Sequence, residues 1–334
     1  MFSAGILVIP NENVNDLLTV VGAAEVAGYD FCLIADEGFT LDVYVLMTLL
    51  AARTLHIRMA PITNPYSRHP AVTAAALGSV NLLAPGRIFL SLVPGGSLVL
   101  GPMNLSATKA VSACRDAIHI IRGLLSGAKT DVEGQVFGLS GGELHFSAEP
   151  IEIWVMGRGP KMVQLSGELA DVTVVSGHIG FEQTLEMARA GAKRSGRQLK
   201  IAQLSTMAFN QEIMDKSRSQ YTYVIPDSPP SAWEEYGVDP EWVAELKKTR
   251  EQDGIEAATA MITDDILHRS MVAGTPDQCV TDNVALVKKW HHSHFILPVM
   301  SLDPAYALPF IREAADIYSR TKQQLEEEHN ASEP

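Results

Sequence analysis

The chain has 334 residues, 46% hydrophobic and 19% charged, a globular composition and not a disordered one. Its 26 basic and 39 acidic side chains give a formal net charge of −13, which argues against nucleic-acid binding, because that needs clustered Lys and Arg. Cys32, Cys114 and Cys279 lie far apart without CxxC spacing, so neither a disulfide scaffold nor a metal site is expected.

The opening MFSAGILVIP lacks a basic region and has too short an apolar run for a signal peptide. No stretch approaches the roughly 18 consecutive apolar residues of a membrane span. A reduced, cytoplasmic setting without a membrane partner is the expectation.

Short apolar runs alternate with helical repeats. Gly5–Ile9 reads as a strand, Asn13–Ala27 as a helix, Tyr29–Ala35 as a strand and Leu41–Ala52 as a helix. His56–Ala60, Ala71–Leu83, Ile88–Leu92 and Ser106–Leu125 continue the pattern, with Ser106 as candidate N-cap. The stretch DVEGQVFGLSGGELHF, 131–146, alternates around Gly-Gly and predicts a β-hairpin. Strands at Ile151–Met156, Val172–Val175, Lys200–Ala208 and His294–Val299 alternate with helices at Pro160–Leu169, Phe181–Arg194, Pro276–Trp290 and Pro304–Glu327. Residues 211–260 form an insertion in which Pro226, Pro229 and Pro230 mark loop.

Eight strand–helix units predict an α/β protein with a parallel sheet, most economically a (β/α)8 TIM barrel with a hairpin after helix four and a long insertion after strand seven. No GxGxxG follows the first strand, which weakens an open dinucleotide-binding sheet. In a barrel the chemistry belongs at the C-terminal ends of the strands.

Strand two ends in Asp36 and Glu37, which either position a ring and supply a proton or simply precede a helix capped by Thr40 or Asp42. Strand three runs into Pro61, Ile62, Thr63 and Asn64, and three prolines within 61–70 stiffen this segment into a platform or a plain connection. Pro94, Gly95 and Gly96 follow strand four and permit close approach to the backbone, although such a turn is weak evidence alone. Gly157, Arg158 and Gly159 run into a helix at Pro160, a phosphate-binding arrangement. Ser176, Gly177 and His178 stand before the next helix, where free amides would share that phosphate and His178 would hydrogen-bond or move a proton. The run Trp290-His291-His292-Ser293-His294 matches no standard zinc spacing and falls on the N-terminal side of the barrel, the side associated with stability.

Together these segments resemble the luciferase-like flavin and deazaflavin oxidoreductases, and within them the coenzyme F420-dependent methylenetetrahydromethanopterin reductases. The likeness covers nearly the whole chain. It is carried by APITNPYSRHPAVTAAALGSVNLLAPGRIFLSL and IEIWVMGRGPKMVQLSGELADVTVVSG, by ADEGFTLDVYVLMTLLAART and the hairpin, and by AGTPDQCVTDNVALVKKWHHSHFILPVM. The resemblance implies one barrel domain over 1–326, and the charged composition of the last residues predicts a flexible acidic tail over 327–334. The resemblance also implies a cofactor ring in the barrel mouth, touched by Asp36 and Thr63, approached at Gly95 and Gly96, and backed by a cis bond that would here be Pro61–Ile62. Tail contacts would fall at Gly157–Gly159 and Ser176–His178. Position 61 is often Gly in the reductases. Where they carry an acid on the first strand this chain has Leu7, so Glu37 or His178 is the substitute proton donor.

The expected protein is therefore a homodimeric F420-dependent oxidoreductase moving a hydride to or from a small organic substrate. An FMN-dependent monooxygenase is the rival within the family. A barrel hydrolase using a metal at Asp36 and Glu37, and a cofactor-free binding subunit, are the rivals outside it.

Overall fold

The computed structural model describes residues 2–332. β1 (Ser3–Val8), α1 (Val14–Val26), β2 (Phe31–Ala35), α2 (Val43–Arg53), β3 (Arg58–Thr63), α3 (Pro70–Leu83) and β4 (Leu90–Leu92) follow in turn. A short α4 (Ser97–Leu100) precedes α5 (Ala110–Leu125). β5 (Thr130–Val132) and β6 (Leu139–Gly142) then pair antiparallel as the expected hairpin, but its turn lies at 133–138 and Gly141 and Gly142 fall within β6. β7 (Ile153–Met156), α6 (Pro160–Leu169), β8 (Val172–Ser176), α7 (Phe181–Ser195) and β9 (Ile201–Leu204) resume the alternation. Beyond them come β10 (Met207–Ala208), α8 (Gln211–Asp227), α9 (Trp233–Tyr236), α10 (Pro240–Gln252), α11 (Ile255–Ala260), α12 (Asp264–Ser270) and β11 (Val272–Ala273). α13 (Pro276–Trp290), β12 (His294–Val299) and α14 (Pro304–Ser332) complete the chain.

β1, β12, β9, β8, β7, β4, β3 and β2 close in that order into a barrel, the (β/α)8 architecture that the alternation predicts. Two boundaries differ from expectation. α5 begins at Ala110 and not Ser106, because Asn104 and Lys109 both take left-handed backbone and break the preceding segment. Residues 211–260 are largely helical. Asn210 caps α8 through its side chain, and the prolines end that helix instead of marking one long loop.

The chain divides into two compact units. The first comprises 1–175, 184–202 and 292–315, and the second comprises 176–183, 203–291 and 316–334. In the first, Phe31 of β2 meets Trp154 of β7 at 5.1 Å between ring centres, and Trp154 stacks on His294 of β12 at 5.0 Å. These strands are not neighbours, so the three rings meet across the lumen. Side chains alternate along a strand, and parallel register partners share a face. The inward set therefore includes Leu7, Ile62, Met156 and Pro298 toward the C-terminal end, and Ser3, Arg58 and His294 toward the other.

The two ends differ in chemistry. At the N-terminal end Arg58 pairs with Glu152 at 2.6 Å, Lys200 lies 3.6 Å from the same carboxylate, and Ser3 bonds His294 Nδ1. Burial pushes the Glu152 carboxyl up, but the Arg58 bond and charge outweigh it and hold the group below its usual range. Burial pushes the His294 imidazole down to about 4, and Lys200 and Arg58 push the same way against Glu152. At the C-terminal end the inward positions Leu7, Ile62, Met156 and Pro298 are apolar and only half-buried.

In the second unit, Trp290 of α13 stacks on Phe181 of α7 at 4.0 Å, and a capping box at Thr275 and Gln278 starts α13. Among the described residues no helix is long and apolar enough to cross a membrane.

Candidate active site

At the end of β3 the Thr63 hydroxyl donates to the Asp36 carboxylate at 2.6 Å, and the Asp36 amide bonds Ile62 O. Thr63 sits at an outward position of β3 and is fully buried, while Asp36 is half-buried. Tyr44 of α2 is buried beside Thr63 and Thr73 without completing a hydrogen bond. Burial pushes its phenol up to about 12, so it stays neutral. Arg68 lies 4.4 Å over the Tyr44 ring and pairs with Asp42 at 2.8 Å. Asp42 also caps α2 through Tyr44 N and Val45 N, so the capping reading of that loop holds beside any functional one. Glu37 is exposed, and its carboxylate makes no hydrogen bond or ion pair with the described residues.

The platform residues do not share one face. Ile62 points inward and is half-buried, whereas Pro61 points outward and is buried. Pro61 has no amide to offer Phe89 O, so the β3–β4 ladder shrinks to a bridge at Met59 and Ile88 and resumes at Ile62 and Ser91. The Asn64 side chain turns into its own loop and accepts from Tyr66 N and Ser67 N. No peptide bond among the described residues is cis, so the cis geometry expected at Pro61–Ile62 is corrected: the bond is trans, within the regular register of β2 and β3.

After β4, Pro94 and Gly95 are half-buried and Gly96 is exposed. Gly95 takes φ +90°, and a Cβ there would lie 2.8 Å from the Leu100 side chain, so glycine is required. After β7, Gly159 caps α6 without a side chain and Pro160 supplies the first helical position. Met162 N and Val163 N bond Gly159 O, which leaves the Gly159 and Lys161 amides at the helix start. Arg158 and Lys161 are exposed and form no ion pair with the described residues. This end of the first unit carries positive charge and open donors together, which suits an anion.

In the second unit the amides expected to be free are occupied. Gly177 N bonds Leu204 O at 2.7 Å, and the Glu235 carboxylate of α9 accepts from Gly180 N at 2.8 Å. A carboxylate from the insertion thus stands where a phosphate was expected, and that expectation is corrected for these two amides. His178 meets the edge of Trp290 at 5.6 Å, and its Nε2 is buried with no partner. Burial pushes its imidazole down to about 4, so it is neutral near pH 7 and holds no spare proton to give as an acid.

The most recognisable segments are largely structural. His69 caps α3 and Pro70 opens it. A Cβ on Gly167 would lie 1.9 Å from Ala188 O, and one on Gly191 would lie 2.1 Å from Gln164 O, so α6 and α7 touch backbone to backbone. Glu168 takes two bonds from Arg115, and Asp171 pairs with both Arg122 and Arg197. Residue-type reasoning missed Tyr44, Met156 and Pro298. The period-two alternation of β7 and β12 carries a signal for the last two. In the histidine run, His291 ends α13 in left-handed backbone and His294 packs in the lumen, so both serve the fold.

A parallel barrel with a charged, glycine-flanked helix start at one strand end and an apolar inner wall belongs to the cofactor-using barrel enzymes. The family model for luciferase-like monooxygenases matches residues 3–291, and the chain belongs to that family of oxidoreductases. It is 30% identical over 285 residues to the 5,10-methylenetetrahydromethanopterin reductase of Methanolobus tindarius, covering 82% of this chain and 87% of that one. Among solved structures it is similar in fold to the coenzyme F420-dependent tetrahydromethanopterin reductase of Methanopyrus kandleri, with TM-score 0.84 and 21% identity over 94% of this chain and 97% of that one. It is also similar in fold to an F420-dependent secondary alcohol dehydrogenase, with TM-score 0.74 and 18% identity over 96% and 99% of the two chains.

Proposed function

We propose that the protein is an F420-dependent oxidoreductase that transfers a hydride between the deazaflavin and a small organic substrate. The observation that carries this reading is the 30% identity, over most of both chains, to a reductase whose structural counterpart is described as F420-dependent. The residues at the mouth of the first unit fit such a group. The open amides and unpaired cations at Gly157–Lys161 suit an anionic tail. The apolar wall with Ile62, and the close approach at Gly95 and Gly96, suit a flat ring.

When bound, the deazaflavin supplies the hydride chemistry. In this reading Arg158 and the α6 amides would hold its tail, and Ile62 and Gly95 would pack against its ring. Asp36, braced by Thr63, orients the ring edge. The half-buried apolar wall keeps water from the reacting carbon. Glu37, exposed and unpaired, supplies or accepts the proton that accompanies the hydride. His178, buried and neutral, is not the proton donor in this reading.

Titration with F420 and with FMN, followed by cofactor fluorescence, tests this reading. Saturable F420 binding is expected. Tight FMN binding with none for F420 would replace it with the flavin monooxygenase. A Glu37→Gln variant should lose turnover while keeping cofactor affinity.

A further inference from the structure

We infer that the substrate of this barrel is an uncharged, predominantly apolar molecule and not a pterin with an anionic tail. The inference deepens the oxidoreductase reading above and rests on it. It starts from four loops of the first unit, at the C-terminal ends of β1, β2, β4 and β12. Each presents a large apolar side chain to solvent: Ile9 is 54% exposed, Phe39 70%, Leu98 90% and Met300 52%. These positions share one rim. Ile9 and Met300 directly follow Val8 and Val299, which are register partners. A Cβ on Gly38 would lie 2.7 Å from the Met103 side chain and 3.1 Å from that of Val99, so the Phe39 loop touches the segment that carries Leu98.

The rim continues inward onto the apolar wall of Leu7, Ile62, Met156 and Pro298. Clustered exposed apolar side chains above a half-buried apolar wall mark a binding surface for an apolar ligand. Charge argues the same way. The loops 9–13, 36–42 and 300–304 contain no Lys and no Arg, and the segment from β4 to α5 carries one, Lys109, at its far end beside α5. An anionic group entering over the β1, β2 and β12 loops would lose water and meet only Arg68, which Asp42 already holds. Nor is the rim built for a cation. Asp36 is engaged by Thr63, Asp42 by the start of α2 and Arg68, and Asp303 by the amide of Ala305 at the start of α14. Glu12 and Glu37 stand exposed.

The test uses the full chain loaded with cofactor, after separate titrations with F420 and FMN. Nile red reports apolar binding by its emission, and 2-decanone and tetrahydrofolate serve as competing ligands of the two chemistries. Nile red should bind and be displaced by 2-decanone but not by tetrahydrofolate. Ile9→Asp and Met300→Asp should each weaken it about tenfold, since each puts a charge on the apolar rim. Leu55→Asp, at a 77% exposed apolar residue following α2, should change it less than about twofold.

Equal or better displacement by tetrahydrofolate overturns the inference. So does an equal loss in Leu55→Asp, or probe binding that disappears as the chain dimerises in sedimentation, which would make the rim a contact between copies. Absence of F420 binding with Nile red still seated on the rim would instead count against the cofactor reading alone, so the two failures are distinguishable.

Discussion

The hydroxyl of Thr63 reaches 2.6 Å to the carboxylate of Asp36, and so ties the buried end of β3 to the loop that carries the two acids of the mouth. Thr63→Val leaves a half-buried carboxylate without this donor, and should cost about 1–3 kcal/mol of stability and weaken cofactor binding. Tyr44→Phe, which removes a buried hydroxyl that completes no hydrogen bond, should cost less than about 0.5 kcal/mol. Urea unfolding of the two variants side by side checks the contrast. Equal losses would mean that the phenol braces the pair.

The backbone contact between α6 and α7 sets a second test. Gly167→Ala and Gly191→Ala would each drive a methyl against a carbonyl oxygen, and helix backbones cannot give way as a flexible side chain can. Losses of about 3 kcal/mol or insoluble expression are expected, against less than about 1 kcal/mol for Gly22→Ala, where nothing lies within 4 Å. Thermal melts of purified variants decide it.

Acid should destabilise the protein in a defined window. His178 and His294 both titrate near 4 in the folded chain against 6.5 as the ordinary value. The unfolded chain therefore takes up protons first as pH falls. The stability from their neutral forms is complete above about 6.5 and is lost progressively toward 4. At pH 5 the loss is on the order of 2 kcal/mol per histidine. Urea midpoints at pH 7, 6 and 5, together with imidazole shifts by NMR, measure it. A midpoint unchanged at pH 5 would contradict the burial of both rings.

Arg158→Ala should raise the cofactor dissociation constant about tenfold or more and flatten its salt dependence, as loss of a charge-assisted contact does. Ser176→Ala should change it less than about twofold, because the neighbouring amides of Gly177 and Gly180 already have partners. Titration at two salt concentrations reads both. Undiminished binding by Arg158→Ala would remove the α6 assignment.

The barrel was legible because its strands are short apolar runs, several of them ending in Gly, Pro or acid, and four of its helices, α3, α6, α13 and α14, open with proline where their first turns begin. The hairpin was legible from the alternation over 131–146, although Gly141 and Gly142, read as its turn, lie in β6. The insertion was not, because its prolines fall at the ends of helices, and a proline at such a position reads like loop in sequence. The site was half legible. Glycines and charges announced α6, but partners distant in sequence decide what is free. Glu235, 55 residues beyond Gly180, claims an amide that local pattern leaves open. The segments that betray the family most clearly, around His69 and Gly167, do so because packing tolerates few residues there.

The N-terminal end of the lumen holds Trp154 stacked on His294, with Phe31 edge-on to both, beside the Arg58, Glu152 and Lys200 cluster. With that floor in place, any two ligands lodged in the barrel together share one doorway. The deeper of them must arrive first and depart last. For a reaction of two such ligands, steady-state kinetics should give an ordered addition, with the deeper ligand first.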